Sequence, residues 1–371
     1  MRFNNNPYKK YNLYEFATRV TRKNKDNVSN LPLTISAQYG LVDQVSFFNK
    51  TVASKDMSGY YLLKNGEFAY NKSYSNDYPW GAIKRLDLYN MGCLSTLYIC
   101  FKSNDNIVNS NYLVHYFESP KWHKQVADIA GEGARNHGLL NIAVNDFFNT
   151  KHAVPTIENQ IKIARFLDLI EERIQTQSKI INDYKLLKKY ITKSFIKQKG
   201  TSYLLSEIAE LGRGRVISSA EISKQKNPIY PVYSSQTSNN GVMGYLDNYD
   251  YEGEYITWTT DGANAGTVYY RNGKFNCTNV CGILKIKNGY DAYYISNILN
   301  CYTKKYVSTN LANPKLMNNV MANIKINLPS IERQKYFSNI LKTIEYRVKI
   351  EQNIKLNLVK QKVFLLKNMF L

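Results

Sequence analysis

Few residues in this chain have the types and spacings needed for covalent chemistry. Asn227-Pro228-Ile229-Tyr230 comes nearest to the Asn/Asp-Pro-Pro-Tyr pattern with which a methyltransferase holds a flipped base, but it lacks the second proline. Gly212-Arg213-Gly214-Arg215-Val216 lacks the third glycine of a cofactor loop and the strand–turn–helix pattern such a loop needs. Both read as ordinary loops. No G-x-x-x-x-G-K-[ST] string exists, so no translocase motor is expected. Cys277 and Cys281 are close, with Cys301 later, but zinc would need a second close pair of Cys or His. His115, His123, His137 and His152 lie far along the chain from them, so the cysteines read as strand and core residues and no metal is expected. Four scattered histidines also give no nucleophile–base constellation. The chain is read as non-catalytic.

Its chemistry is instead that of charge. The 371 residues carry a formal net charge of +20, with pI near 9.5. Such a balance implies a polyanion partner, either nucleic acid or an anionic membrane surface. No run of 18 apolar residues is present, and MRFNNNPYKK has no signal-peptide core, so no membrane span and a cytoplasmic location are expected. Five scattered cysteines, an odd number, fit a reduced compartment. The abundance of Tyr, Asn and Lys is read as partly the nucleotide bias of an AT-rich genome and is discounted as a functional signal.

The elements that must position any binding residues are set by a repeat. Residues 154–174 (VPTIENQIKIARFLDLIEERI) and 328–348 (LPSIERQKYFSNILKTIEYRV) align without a gap, with eight of 21 positions identical. The identities are Pro155/Pro329, Ile157/Ile331, Glu158/Glu332, Gln160/Gln334, Leu167/Leu341, Ile170/Ile344, Glu171/Glu345 and Arg173/Arg347. Each copy opens a long helix, with proline ahead of it, Thr156 or Ser330 as the cap, and Glu158 or Glu332 in the first turn. Steps of three and four from Leu167 run through Ile170, Ile174, Gln177, Ile181, Tyr184, Lys188, Ile191 and Phe195, a heptad seam with seven of nine apolar. The same register from Leu341 has six of nine apolar. The seams share two polar breaks, Gln177/Glu351 and Lys188/Lys362. Polar seam residues either fix register or rotate out to solvent, and the pattern leaves both open. A helix of about 40 residues is roughly 60 Å long and cannot bury its stripe on one small domain. Pairing with its copy, antiparallel if the copies relate by a pseudo-two-fold axis, solves this for both. The helices hold over half of the net charge, so part of the basic surface lies on them.

The fold class is α+β with an internal duplication. Residues 1–153 and 200–327 are rich in aromatic and β-branched residues with Gly and Asn turns, and read as strand-rich domains. Residues 154–199 and 328–371 are the two helices. The domains also match in order. Leu31–Gly40 corresponds to Ile229–Gly241, Asn65–Asn71 to Glu252–Thr257, and the polar loop Lys72–Gly81 to Thr259–Gly266. Leu97–Lys102 then corresponds to Gly282–Lys287, and Ser110–Phe117 to Ala292–Leu299.

These features carry a family resemblance. The VP-x-I-E-x-Q and LP-x-I-E-x-Q starts of repeated helices, about 130 residues apart, resemble the conserved regions of the specificity subunit of type I restriction–modification systems. The GEYIT…TTDGANAGTVYYRNGKF stretch is similar to a common pattern of its target-recognition domains. The resemblance spans nearly the whole chain and is weakest in the first domain (ISAQYGLVDQVSFF, AYNKSYSNDYPWG). It implies two target-recognition domains, each reading one half of a bipartite double-stranded DNA site. It implies helices that act as a ruler and dock two modification (methyltransferase) subunits, with restriction (translocase/nuclease) subunits joining them. It implies no cofactor on this chain: S-adenosylmethionine, for adenine methylation, with ATP and magnesium, belongs to the partners.

Residues touching DNA must supply phosphate contact and base reading. Candidates in the first domain are Lys72, Ser73 and Tyr74, with Arg135, Asn136 and His137 in the Gly131–Gly138 loop. In the second they are Arg213, Arg215, Ser235, Gln236, Thr260, Asn264 and Lys315. Pro155, Glu158, Gln160, Pro329, Glu332 and Gln334 form the helix-start motif. The alternative reading is a self-standing, repressor-like DNA-binding protein, which would show a helix-turn-helix or similar short reader. None is evident.

Overall fold

A computed structural model describes residues 8–75, 78–131, 138–308 and 313–370. The chain divides into two compact units, Met1–Gln177 with Ile354–Leu371, and Ser178–Asn353. The helices of nine residues or more are α1 (Ser110–Glu118), α2 (Ile157–Ile196), α3 (Ala292–Tyr302) and α4 (Ile331–Asn368).

The first unit is built on an antiparallel four-stranded sheet in the order Ala17–Arg19, Ile99–Ser103, Phe68–Asn71, Ala82–Arg85. Two small ribbons flank it, Leu33–Ser36 with Gly40–Asp43 and Tyr61–Lys64 with Met91–Leu94. A third ribbon pairs Lys9–Asn12 with Lys151–Val154 and delivers the chain to Pro155. The core stacks Phe68 on Phe101 and Tyr70 on Phe147, beside Trp122. Leu167, Ile170 and Ile174 of α2 and Leu366 of α4, with Phe370 just beyond it, close that same core.

The second unit has a six-stranded sheet in the order Ala209–Arg213, Cys281–Ile286, Tyr251–Thr259, Val268–Cys277, Tyr230–Tyr233, Val242–Leu246. Its first four strands repeat the order of the first unit's sheet. A ribbon of Thr201–Leu204 with Lys325–Leu328 again leads to the proline. Each ribbon's first strand runs into a single-turn helix, Leu13–Phe16 or Leu205–Ile208. There Glu15 accepts from the Asn12 N–H and Glu207 from the Leu204 N–H, both at 2.6 Å. The duplication therefore reaches Tyr11-x-Leu13-x-Glu15-x-Ala17 and Tyr203-x-Leu205-x-Glu207-x-Ala209, a match too thinly spaced to stand out in the sequence. Cys277 ends one strand and Cys281 begins the next in sequence, and both are buried; Cys301 in α3 is exposed.

The heptad seam is the buried line of both long helices. Leu167, Ile170, Ile174, Gln177, Ile181 and Phe195 are buried, and every position from Leu341 to Met369 in register is buried or half-buried. Within the second unit Lys188 meets Glu345 and Phe195 stacks on Phe337, so the α2 and α4 segments run antiparallel. Within the first unit Glu171 meets Lys362, the contact that the repeat generates from Lys188–Glu345. Lys188 and Lys362 are thus held by cross-helix ion pairs rather than rotated out to solvent. Among the described residues no helix is long and apolar enough to cross a membrane.

Candidate nucleic-acid interface

In the second unit three loops are tied together at one edge of the sheet. The strand Tyr251–Thr259 runs into Thr260, which is fully buried; its hydroxyl donates to the Val280 carbonyl and to Asp261. The loop that follows folds on itself, with the Ala265 N–H donating to Gly262 O and the Thr267 hydroxyl to Asn264 O. Gly262 N–H donates to Pro314 O at 3.0 Å and Leu316 N–H to Thr260 O at 2.8 Å, so the 313–316 stretch is zipped to it. Lys315 lies 3.7 Å from Asp261. Asn264 Nδ2 donates to Thr237 Oγ1 at 3.0 Å, which adds the 234–241 loop. That loop carries half-buried Ser235 and Gln236, the latter donating to the Val242 carbonyl. Seven candidates were named in this domain; Ser235, Gln236, Thr260, Asn264 and Lys315 come together here, Thr260 as an internal support.

The two arginines differ. Arg213 is exposed and its Nε donates to Asn318 Oδ1 at 3.1 Å, beside the same 313–318 stretch. Arg215 is forked onto Glu221 at 2.6 and 3.1 Å and also meets Asp250 at 3.1 Å. Hydrogen bonding from Arg215 holds the Glu221 carboxyl below its usual range. Arg215 thus spends its charge within the domain.

The first unit repeats the arrangement. Leu140 N–H donates to Lys72 O at 2.9 Å, Ser73 bridges Leu139, and Tyr74 N–H donates to Gly138 O at 3.1 Å. Tyr74 is exposed. The loop after the Phe68–Asn71 strand is therefore zipped to a stretch that directly follows 132–137. Arg135, Asn136 and His137 lie outside the described residues. In both units the polar loop after the same sheet strand joins the same late segment of the domain.

The helix-start motif has a different task. Gln160 Nε2 donates to Pro155 O at 2.8 Å and to Ile107 O at 3.2 Å, while its Oε1 accepts from Asn109 N–H at 2.7 Å. Gln334 Nε2 donates to Pro329 O at 2.9 Å and its Oε1 accepts from Asp291 N–H at 3.0 Å. Asn109 and Asp291 in turn cap α1 and α3. Glu158 and Glu332 stay exposed in the first helical turn. The sequence marked these glutamines but not what they grip.

Sequence reading also missed two buried groups. His115 Nε2 lies 2.7 Å from Asp168 Oδ1, joining α1 to α2; burial lowers its pKa against the opposing pull of Asp168. Arg271 is buried in the Val268–Cys277 strand. A lone Arg or His in an alternating strand or short helix carries no distinguishing sequence signal.

Comparison with known proteins gives a consistent family. The profile described as "Type I restriction modification DNA specificity domain" matches residues 200–360. A proposed type I specificity subunit of Mycoplasma pneumoniae is 38% identical over 196 residues, covering 52% of this chain and 81% of that protein. A second from the same organism, described as a specificity-subunit N-terminus, is 44% identical over 144 residues, 38% of this chain and 76% of that protein. The crystal structure of the type I restriction–modification S subunit from M. genitalium shares the fold. Its TM-score is 0.60 at 15% identity, over 100% of this chain and 98% of that one. With two strand-rich domains, a duplicated pair of long helices and relatives matched over most of their length, the chain belongs to the specificity subunits of type I restriction–modification systems.

Proposed function

We propose that this chain is the DNA-reading, non-catalytic subunit of a complex that methylates adenine, and that domains 1–153 and 200–327 each read one half of an asymmetric, split site. One observation carries the reading. The same sheet order, and the same zip between the loop after one strand and a late segment, are built twice with loops of different sequence, ahead of helix starts that share one motif. Repetition of the frame with divergence of the loops is what two different half-sites require. Lys72, Ser73, Tyr74, Arg213, Gln236, Asn264 and Lys315 lie on or beside these loops and supply the polar edges and cations that phosphates and bases take. Helices 154–199 and 328–371 would dock two modification subunits and set the gap between half-sites. S-adenosylmethionine belongs to those partners, and ATP and magnesium to the restriction subunits.

The test is co-expression with the modification subunit and genome-wide mapping of methylated adenine. The wild type is expected to give a split motif. Two domains facing one side of the duplex should place the half-site centres about one helical turn apart, near 10 base pairs. Deleting four residues near Thr176, about one helical turn, should alter the gap and leave the half-site bases as they were. Changed bases with an unchanged gap would remove the ruler role.

A further inference from the structure

Arg271 is a buried cation that no carboxylate neutralises through its hydrogen bonds. It is 4% exposed. Its Nε donates to Thr257 Oγ1 at 3.2 Å and an Nη to the Asn240 carbonyl at 2.9 Å, and both acceptors are neutral. The guanidinium lies 3.5 Å over the Tyr233 ring and 4.4 Å from that of Tyr269. The titratable groups facing it are Tyr233, Tyr269, Cys277 and Cys281. Taking a cation out of water is costly, and an aliphatic side chain would fill such a site at less cost. A lone arginine here therefore calls for a use other than stability.

Its contacts point to that use. Thr257 belongs to the neighbouring strand of the sheet, and Asn240 closes the 234–241 loop. Asn239 and Asn240 have φ of 48° and 53°, a left-handed conformation that non-glycine residues seldom adopt. That backbone turns the Asn240 carbonyl inward onto Arg271. A Cβ added to Gly241, at φ +83°, would stand 3.1 Å from the Arg271 Nη. The loop so anchored carries Ser235 and Gln236, and Thr237 on it holds Asn264 of the next loop. The first unit solves the same sheet position otherwise. By strand register the residue there is Leu86, a fully buried aliphatic side chain just beyond the Ala82–Arg85 strand. What the two domains share is frame; what only one has can distinguish its half-site.

We propose that Arg271 is a positioning residue for sequence readout by the second domain: it fixes the 234–241 loop and, through Thr237 and Asn264, the 260–266 loop. The inference rests on the DNA-reading role proposed above. The planar fork matters, because it serves the sheet and the loop at once, which a lysine ammonium does with poorer geometry.

The test uses the full chain in complex with its modification subunit. Bound duplexes are selected from a randomised library and sequenced for wild type, Arg271→Met and Arg271→Lys, and thermal unfolding and non-specific DNA affinity are measured alongside. Arg271→Met should lose about tenfold or more of its discrimination at one or two positions of a single half-site. The other half-site, the gap and the non-specific affinity should stay as in the wild type. Arg271→Lys should relax the same positions less. If Arg271→Met does not fold, Arg271→Lys decides. Unchanged base preferences in the folded variants, even with a lower melting temperature, would make Arg271 merely structural and leave the DNA-reading role standing. A wild-type complex that selects no split sequence would overturn both.

Discussion

Gln160 and Gln334 hold more of the fold than the glutamates two residues before them. Each is almost fully buried, and its amide joins the proline carbonyl at the helix start to the backbone N–H of a capping residue elsewhere in the domain. Gln334→Ala would leave the Asp291 N–H and the Pro329 carbonyl without partners. An unsatisfied buried group costs about 1–3 kcal/mol, so the variant should lose about 2 kcal/mol, read as a lower urea midpoint. Glu332→Ala removes an exposed first-turn carboxylate, hydrogen-bonded to Ser330, and should move the midpoint much less. Equal midpoints for the two variants would deny the clamp. A second residue, His152, sets a pH dependence. It is buried between the Tyr116 hydroxyl at 2.9 Å and Thr150 Oγ1 at 2.8 Å, and burial pushes its pKa down to about 4. The unfolded chain takes up this proton near pH 6.5 and the folded chain only near 4, so stability is full above 6.5 and is lost as pH falls toward 4. The loss is up to about 3 kcal/mol, and burial of His115 acts in the same direction. Unfolding free energy that stays flat between pH 4 and 6.5 would contradict this, as would an unaltered pH profile in His152→Gln. The proline and the first-turn glutamate were legible because their roles are local. The glutamine's grip was not, since its partners lie 51 and 43 residues away in sequence.

A 3.5-residue period is visible in sequence without any knowledge of the partner helix, which is why the seam from Leu167 and from Leu341 was readable end to end. The fate of its polar breaks was not, because it depends on which residue lies opposite. Lys188 and Lys362 meet Glu345 and Glu171, and these glutamates are identical in the two copies of the repeat. The side chains are 21–42% exposed, so each pair is worth little by itself, about 0.5–1 kcal/mol. Their larger effect is on register: a slip of either helix would set a lysine against apolar seam residues. Lys362→Glu puts two carboxylates together on the first unit's helix pair and should destabilise it by about 1 kcal/mol. Adding Glu171→Lys should restore most of that loss. The measurement is a double-mutant cycle by urea unfolding at low salt. A coupling energy near zero would mean that packing alone sets the register.

At the scale of the chain, duplication was legible but the division into units was not. The cuts fall at Gln177 and Asn353, inside the long helices, where no glycine, proline or change of composition marks them. Sequence patterns report local structure, whereas a compact unit is defined by which surfaces are buried together. The first unit is accordingly discontinuous: residues 354–371 belong with 1–177. Phe370, 1% exposed, packs its ring 5.4 Å from Tyr112 and 5.7 Å from Tyr116, and Leu366 joins the same core. Phe370→Ala should therefore cost about 3–4 kcal/mol, the usual loss for a buried phenylalanine, and the loss should fall on the first unit. Hydrogen exchange would locate it. Amides of the Phe68–Asn71 and Ile99–Ser103 strands should lose protection, although they lie over 260 residues earlier in the chain. Amides of the Tyr251–Thr259 strand, in the other unit, should keep theirs. Equal loss in both sheets would mean that the chain unfolds as one cooperative block, and no loss in either would mean that Phe370 is not part of the first core.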